Sequence, residues 1–319
     1  MREEVMREKP DPLSVDARAA GLLAHLAGAR PPAPAWFVHA LAQAPERAMV
    51  AVDGAQIETL AWGRRGDPGI LLLHGNGAHG DWWSPLAPFF AADGYRVAAM
   101  SWSGMGGSDW RKTYHPEVFA QEVLAACTAT GLFEAAEKPV VVAHSFGGFL
   151  GLYCAARHGE QLGALIVADS PIEPPGYAGD RPPHRANVNR IYPAFNTALG
   201  RFRLAPPQPC ENLWYVDHIA RASLRPVDGG FTWKFDPFIF GRLELGDPSP
   251  WLQRASCPIG VIWGDRSTLM APEVIAYMRS IAPVGTPFLA LPEADHHLMI
   301  DQPLPFVAAI RGLLAGWRR

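Results

Sequence analysis

The sequence predicts an α/β fold in which a mostly parallel central sheet is covered by helices on both faces. Short apolar runs rich in β-branched residues alternate with helix-like segments, which is typical of a parallel sheet buried on both sides. Residues 140–148 are the clearest case, because a strand-like run passes through a sharp glycine-containing turn into a helix-like segment. In residues 171–250 prolines and aromatic residues accumulate and the strand rhythm stops. That segment is expected to be an insertion of short helices and turns.

Length and charge restrict the classes of function. The 319 residues, 49% of them hydrophobic, can form one large domain with an insertion. A formal net charge of −3 gives no reason to expect nucleic acid or an anionic membrane as a partner, so a small-molecule substrate is expected. The chain has no apolar run near the ~20 residues that span a bilayer, and we therefore expect a cytoplasmic protein. The oligomeric state is left open, with a homodimer as one alternative.

The four cysteines are scattered without a CxxC spacing, which indicates neither a disulfide framework nor a zinc site. Free thiols are the simplest interpretation. The cysteines are Cys127, Cys154, Cys210 and Cys257.

Three regions follow from these patterns. Residues 1–48 form an N-terminal extension with helices expected over 13–29 and 34–44. Residues 49–170 and 251–319 make the α/β core, which begins with a hairpin turning at Asp53-Gly54. Residues 171–250 are the insertion, and their aromatic content suits a lid over a substrate pocket.

The turn in residues 140–148 carries a candidate nucleophile, Ser145. Small residues, Ala143 and Gly147, stand two positions before and after it, as a strained strand-to-helix turn requires. Such a turn exposes the serine Oγ above the end of the strand. It also places the N–H of Phe146 at a helix N-terminus, where it can face a developing oxyanion.

A second glycine-containing loop, His74-Gly75-Asn76-Gly77, follows the buried strand predicted at residues 69–73. Glycine allows the backbone to approach a ligand closely, and the N–H of Asn76 is the expected second oxyanion donor. His74 is expected to support the loop backbone rather than to transfer a proton.

The order of these motifs resembles the α/β-hydrolase superfamily from about Met49 onward, in particular the lidded serine esterases and lactonases. The HGNG loop at His74 is followed by an SGMGGS loop at Ser103, the AHSFGG turn at Ser145, the insertion, and a histidine seven residues before Pro303. This resemblance implies that His296 is the catalytic base. The neighbouring His297 is expected to point elsewhere.

The acid that orients the base departs from the pattern of that superfamily. Its common position is occupied here by Ser267, which cannot stabilise an imidazolium as a carboxylate does. Asp169 follows the strand after the nucleophile helix, and some members, the zearalenone-type lactonases among them, are similar in placing their acid there. We therefore expect Asp169 to be the acid, with Asp265 as the alternative. Asp169 could instead cap the following Ser-Pro turn.

The resemblance implies an acyl-enzyme mechanism in which Ser145 attacks an ester or lactone and no metal or organic cofactor takes part. C–C bond hydrolysis, thioester cleavage and acyl transfer use the same constellation and stay open. A serine argues against haloalkane dehalogenases and epoxide hydrolases, which the resemblance implies use aspartate. A ligand-binding protein with little turnover is a further alternative, because Ser267 replaces the usual carboxylate.

The candidate substrate-binding residues are aromatic or lie in loops beside the expected site. Aromatic side chains in a lid favour an apolar, ring-bearing substrate, although they pack against one another just as readily. The candidates are Gly75, Trp82, Trp214, Tyr215, Trp233 and His297.

Overall fold

The computed structural model of the chain describes residues 21–177 and 188–317. Its strands, numbered in chain order, are β1 (Glu46–Val52), β2 (Ala55–Trp62), β3 (Gly69–Leu73), β4 (Arg96–Met100), β5 (Val140–His144), β6 (Ala164–Ala168), β7 (Leu224–Val227), β8 (Gly230–Trp233), β9 (Ile259–Gly264) and β10 (Phe288–Leu291). Its α-helices are α1 (Ala35–Leu41), α2 (Ala87–Ala92), α3 (Pro116–Thr130), α4 (Phe146–His158), α5 (Phe195–Leu199), α6 (Leu213–Ala222), α7 (Ser249–Gln253), α8 (Pro272–Ile281), α9 (Leu298–Asp301) and α10 (Pro303–Trp317).

Eight strands form one mostly parallel sheet in the order β1-β2-β4-β3-β5-β6-β9-β10. The strands β3 to β6, β9 and β10 are parallel, and β1 and β2 form the predicted antiparallel hairpin at one edge. The hairpin begins at Glu46 rather than at Met49. Most of β1 is exposed, so its first residues are polar and do not carry the apolar pattern by which a strand is recognised.

The central strand β3 shows how the sheet is covered on both faces. All five of its residues are buried. Ile70 and Leu72 belong to one hydrophobic cluster, whereas Leu71 and Leu73 belong to the other. Because side chains alternate across a strand, this division puts one cluster on each face of the sheet. The predicted α/β fold class is confirmed.

The extension at the start of the chain differs from its prediction. Residues 13–20 lie outside the described residues, and the rest of the expected helix is a single 3₁₀ turn, Ala24–Leu26. That turn ends at Ala27, whose φ of 50° is left-handed and breaks the helix. The second predicted helix is present as α1, and its Phe37 is buried.

Residues 171–250, which we call the insertion, lie between β6 and β9, and their last two residues begin α7. Besides the expected short helices the insertion contains the β7–β8 hairpin, which differs from the expectation of helices and turns alone. Pro226 within β7 weakens the strand signal of this segment, since proline cannot donate to a strand ladder. In a two-stranded hairpin every second backbone position faces away from the partner strand, so a proline at such a position costs no hydrogen bond. Part of the insertion, residues 178–187, lies outside the described residues.

The insertion contacts three loops at the carboxyl ends of the sheet strands. The N–H of Asp236 donates to the carbonyl of Gly104, 2.7 Å away, in the loop after β4. The hydroxyl of Tyr215 donates to the carbonyl of Trp82 (2.7 Å), which follows the loop after β3. Gln208 binds Asp301, close to the loop after β10. The insertion therefore covers the edge of the sheet at which ligands bind in parallel α/β folds.

Across the described ranges, no helix has both the length and the apolar character that crossing a bilayer requires.

Truncation of the central strand tests the two-sided core. Leu72→Ala is expected to lower the free energy of unfolding by about 2–5 kcal/mol, because a fully buried leucine leaves a cavity. Leu304→Ala is the control, since Leu304 is 40% exposed, and its effect should stay within about 0.5 kcal/mol. Urea denaturation measures both variants. Equal effects would show that β3 is not the centre of the core.

Candidate active site

Ser145, Asp169 and His296 come together at the carboxyl ends of the sheet strands. The Nε2 atom of His296 lies 2.9 Å from the Oγ of Ser145, and its Nδ1 lies 2.8 Å from Oδ1 of Asp169. His144 and Ala168 are in register at the ends of β5 and β6, so the residues that follow, Ser145 and Asp169, emerge side by side. The arrangement can remove a proton from the serine hydroxyl and place the resulting positive charge on the imidazole, against a carboxylate.

The strained turn expected at Ser145 is present. Its φ of 54° and ψ of −122° lie outside the regions that residues with a side chain normally occupy. A Cβ at Gly147 would lie 2.6 Å from the carbonyl oxygen of His74, and one at Gly148 would lie 2.0 Å from the Oγ of Ser170. Ser170 in turn donates to the carbonyl of Ser145 (2.8 Å). Close packing on both sides therefore holds the serine in its strained conformation.

Asp169 is fully buried, and its carboxylate accepts three hydrogen bonds. Besides His296, the donors are the hydroxyl of Ser267 (2.7 Å, to Oδ1) and the N–H of Gly264 (2.9 Å, to Oδ2). Ser267 therefore occupies the usual place of the acid but acts as a donor to the acid on the neighbouring strand. The alternative acid, Asp265, is exposed.

The two predicted oxyanion donors belong to the residue after Ser145 and to the loop after β3. Phe146 is the first residue of α4, so its N–H has no acceptor within the helix and is available to a ligand. Asn76 is exposed in the loop after β3. A Cβ at Gly75 in that loop would lie 3.0 Å from the Cβ of Ser145, which shows how closely this backbone approaches the serine.

His74 supports the loop, as expected. Its Nδ1 donates to the carbonyl of Gly75 (2.7 Å), and its Nε2 accepts the N–H of Trp102 (3.1 Å). Burial lowers the pKa of His74 to about 3, so the ring is neutral. Both ring nitrogens are used in holding backbone, which leaves neither for proton transfer.

The aromatic candidates lie in different surroundings. Tyr215 has no exposed surface, and its hydroxyl donates to the carbonyl of Trp82. It therefore packs in the core, which corrects the expectation that it lines a pocket. Trp214 packs edge-on against Trp36 and Phe37 of the extension. These contacts join the insertion to the extension, a role that composition could not distinguish from substrate binding.

Three other candidates lie within the insertion or close to His296. The ring of Trp233 contacts Tyr192 and Phe202, both in the insertion. The ring of Trp82 is 5.6 Å from that of His297, centroid to centroid. His297 lies next to His296 in space as well as in sequence, at 4.8 Å between ring centroids.

Sequence reasoning missed the partners of His297. Oε1 of Gln208 lies 2.9 Å from the backbone N and 2.7 Å from Nδ1 of His297, and the Gln208 amide also binds both carboxylate oxygens of Asp301. Asp301 accepts the N–H of Asp295 (2.9 Å), which closes the loop around the base. Burial raises the pKa of Asp301 to about 6. The sequence offered no signal for Gln208, because it lies 89 residues from His297.

The sheet order, the strained serine and the three-residue chain can be compared with known proteins. Residues 70–310 match the model of the alpha/beta hydrolase family. The chain belongs to this family. The insertion, the loop of His74 and the loop of His296 all fall inside the matched range.

Individual relatives are distant. The chain is 25% identical to epoxide hydrolase 3 of Xenopus tropicalis over 292 residues, covering 82% of this chain and 75% of the relative. It is 29% identical to the pimeloyl-[acyl-carrier protein] methyl ester esterase of Vibrio atlanticus over 153 residues, covering 46% of this chain and 56% of that relative. The thioesterase domain from the curacin biosynthetic pathway superposes with a TM-score of 0.70 at 24% identity, covering 84% of this chain and 99% of that domain. At this identity the superposition shows the shared fold.

The buried histidines predict how stability depends on pH. Burial lowers the pKa of His74 to about 3 and of His79 to about 4, and it holds the pKa values of His144 and His297 well below 6.5. An unfolded chain takes up protons at these positions as the pH falls below about 6.5, whereas the folded chain does not. Stability is therefore expected to be complete above pH ~6.5 and to fall as the pH approaches 4.

Urea midpoints measured between pH 7.5 and pH 4.5 test this dependence. Glu122, Asp295 and Asp301 act in the opposite direction, because their raised pKa values favour the folded state at low pH. The lowered pKa of His218 adds to the effect of the other four histidines. In His79→Gln the decline should be shallower than in the wild type. A midpoint that does not change with pH would contradict the assignment of these rings as neutral.

Proposed function

We propose that the protein is a serine hydrolase that cleaves a carboxylic ester or lactone of a small, largely apolar molecule through an acyl-enzyme. The observation that carries this proposal is the hydrogen-bonded chain from Ser145 through His296 to Asp169, with distances of 2.9 and 2.8 Å. The partial exposure of Ser145 supports it, because the nucleophile is within reach of a substrate while the other two residues are buried. The proposal requires no metal or organic cofactor.

In the first half of the reaction, Nε2 of His296 takes the proton of the Ser145 hydroxyl while Oγ bonds to the carbonyl carbon. The carbonyl oxygen becomes an oxyanion, which the N–H groups of Phe146 and Asn76 stabilise. The intermediate then expels the alcohol oxygen, which receives the proton from His296. In the second half water repeats the sequence on the acyl-enzyme and releases the acid. Throughout the reaction the Nδ1–H of His296 donates a hydrogen bond to Asp169. This contact keeps the proton on Nδ1 and leaves Nε2 free to accept the proton of Ser145.

A serine nucleophile favours acyl substrates over epoxides, although an epoxide hydrolase is among the relatives. If Ser145 opened an epoxide or displaced a halide, the product would be an ether of the serine, which water does not hydrolyse. A carboxylate nucleophile avoids this, because its alkylated form is an ester. Attack on a carbonyl, by contrast, gives a serine ester that the same base can hydrolyse, which agrees with the esterase among the relatives.

The insertion is proposed to act as a lid over this site. Phe240 of the insertion lies 5.9 Å from the ring of Phe146, the residue after the nucleophile. Phe240 is 39% exposed, so part of this apolar ring faces solvent beside the residue that follows Ser145. A cover of this kind excludes water and favours apolar substrate groups.

Replacement of the acid tests the mechanism. Asp169→Asn is expected to lower kcat for phenyl esters on the order of 10⁴-fold, because the base then loses its required tautomer. Asp265→Asn is the matched control, since it makes the same change at an exposed carboxylate, and it should stay near the wild-type rate. Ser145→Ala supplies the blank. Added alcohols and thioester substrates, assayed in parallel, separate ester hydrolysis from acyl transfer and thioester cleavage.

Two outcomes would count against the proposal. Wild-type activity no higher than that of Ser145→Ala, across several esters and lactones, would contradict the proposed serine hydrolase function. A large loss of kcat in Asp265→Asn, with the kcat of Asp169→Asn unchanged, would identify Asp265 as the acid.

The hydroxyl of Ser267 gives a smaller and separate prediction. Ser267→Ala removes one of the donors that orient the Asp169 carboxylate, so kcat/KM should fall about 5- to 20-fold while the fold is retained. Thr268→Ala, at an exposed neighbouring position, is the control and should retain wild-type kcat/KM. Steady-state kinetics together with thermal midpoints distinguish a loss of orientation from a loss of folding. Unchanged kinetics in Ser267→Ala would show that the other two contacts suffice.

A further inference from the structure

The tautomer of His297 follows from its contacts with Gln208. Oε1 of Gln208 accepts the backbone N–H of His297, and the same oxygen lies 2.7 Å from Nδ1. An amide oxygen cannot donate, so Nδ1 must carry a proton. Burial, together with the neighbouring rings of His296 and His144, lowers the pKa of His297 well below 6.5. The ring is therefore neutral, and its Nε2 has a lone pair and no proton.

The orientation of the Gln208 amide is determined by Asp301. The amide nitrogen lies 2.9 and 2.8 Å from the two carboxylate oxygens of Asp301, both of which accept. A flipped amide would set oxygen against the carboxylate and N–H against the N–H of His297. The chain Asp301–Gln208–His297 therefore presents Nε2 of His297 as a hydrogen-bond acceptor.

The ring of Trp82, which lies beside the ring of His297, carries a donor that has no partner among the described residues. The Nε1–H of Trp82 is buried and has no hydrogen-bond partner in the described part of the chain. The Trp82 ring is 5.6 Å from the His297 ring, which in turn is 4.8 Å from the ring of the base. Among the residues that the structure describes, none donates to Nε2 of His297. A buried donor without a partner is costly, so the N–H of Trp82 favours an occupant that accepts its hydrogen bond. Nε2 of His297, in the neighbouring ring, can accept a hydrogen bond from the same occupant.

A hydroxyl group is such an occupant, because it donates one hydrogen bond and accepts others. We propose that Nε2 of His297 and Nε1–H of Trp82 bind a hydroxyl on the acyl part of the substrate, so that the enzyme selects esters of hydroxy acids. We place this hydroxyl on the acyl part because the acyl group stays bound to Ser145 after the alcohol has left. His297 and Trp82 are only 3% and 6% exposed, which suits contact with the group that stays bound. This inference rests on the proposed function and names the substrate class of the same site.

The first experiment compares matched phenyl esters of butanoate, 2-hydroxybutanoate and 3-hydroxybutanoate, each corrected for its rate of alkaline hydrolysis. The wild type is expected to prefer one of the hydroxylated esters in kcat/KM by about tenfold or more. His297→Asn keeps an amide N–H near the position of Nδ1, toward Gln208, but has no acceptor at the position of Nε2. This preference should therefore disappear in His297→Asn. His297→Gln places an amide near the position of Nε2 and should restore part of it.

Two tryptophans offer a matched control. Trp83, like Trp82, has a buried Nε1–H that has no partner among the described residues, but its ring stacks on Phe306. Trp82→Phe should reduce the preference for the hydroxylated ester, whereas Trp83→Phe should keep the wild-type ratio. Equal effects of the two substitutions would overturn the inference.

A measurement without turnover separates this inference from the proposed function. Calorimetric titration of Ser145→Ala with the same three esters should show about tenfold tighter binding of a hydroxylated ester, and His297→Asn in that background should remove the difference. If the wild type hydrolyses no ester but Ser145→Ala binds this way, the proposed function fails and the hydroxyl site stands. If esters are hydrolysed without any preference, and binding is equal, the hydroxyl site is wrong. Nitrogen-15 NMR of the imidazoles would also overturn it by showing a proton on Nε2 of His297.

Discussion

The carboxylate of Asp169 joins the elements from which the candidate site is built. It lies at the end of β6, next to the strand that carries Ser145, and it accepts hydrogen bonds from the loop after β9 and from the histidine after β10. Inside a protein such bonds to an ionised group are stronger than those between neutral groups. Without this carboxylate the ring of His296 would lose the contact that sets its tautomer, and Gly264 and Ser267 would lose their acceptor.

The position of this acid also explains why Ser267 is compatible with the site. β6 and β9 are neighbours in the sheet, so an acidic side chain at the end of either strand can reach the same imidazole. In this chain the residue after β6 supplies the charge, and the residue after β9 supplies a hydroxyl that orients it. Because two negative charges at that point would repel each other, a serine is the better partner for an aspartate already in place.

Much of this arrangement follows from local patterns. The periodicity of the apolar runs predicts the sheet, the small residues around Ser145 predict the strained turn, and the strand-end position of Asp169 predicts its nearness to His296. The contacts of Gln208 and Ser267 could not be predicted, since they join positions 93 and 98 residues apart through side chains of ordinary composition. The prediction that Tyr215 binds substrate was wrong for a related reason. The sequence does not distinguish an aromatic residue that packs in the core from one that contacts a ligand.

The order of the site residues along the chain has a further consequence. Ser145 and Asp169 belong to one continuous β–α–β unit, whereas His296 lies beyond the insertion. A single proteolytic cut within the insertion would therefore leave Ser145 and Asp169 on one fragment and His296 on the other. Any activity of such a nicked protein would report the noncovalent association of the two fragments. Split-protein complementation at this boundary would convert fragment assembly into a catalytic signal.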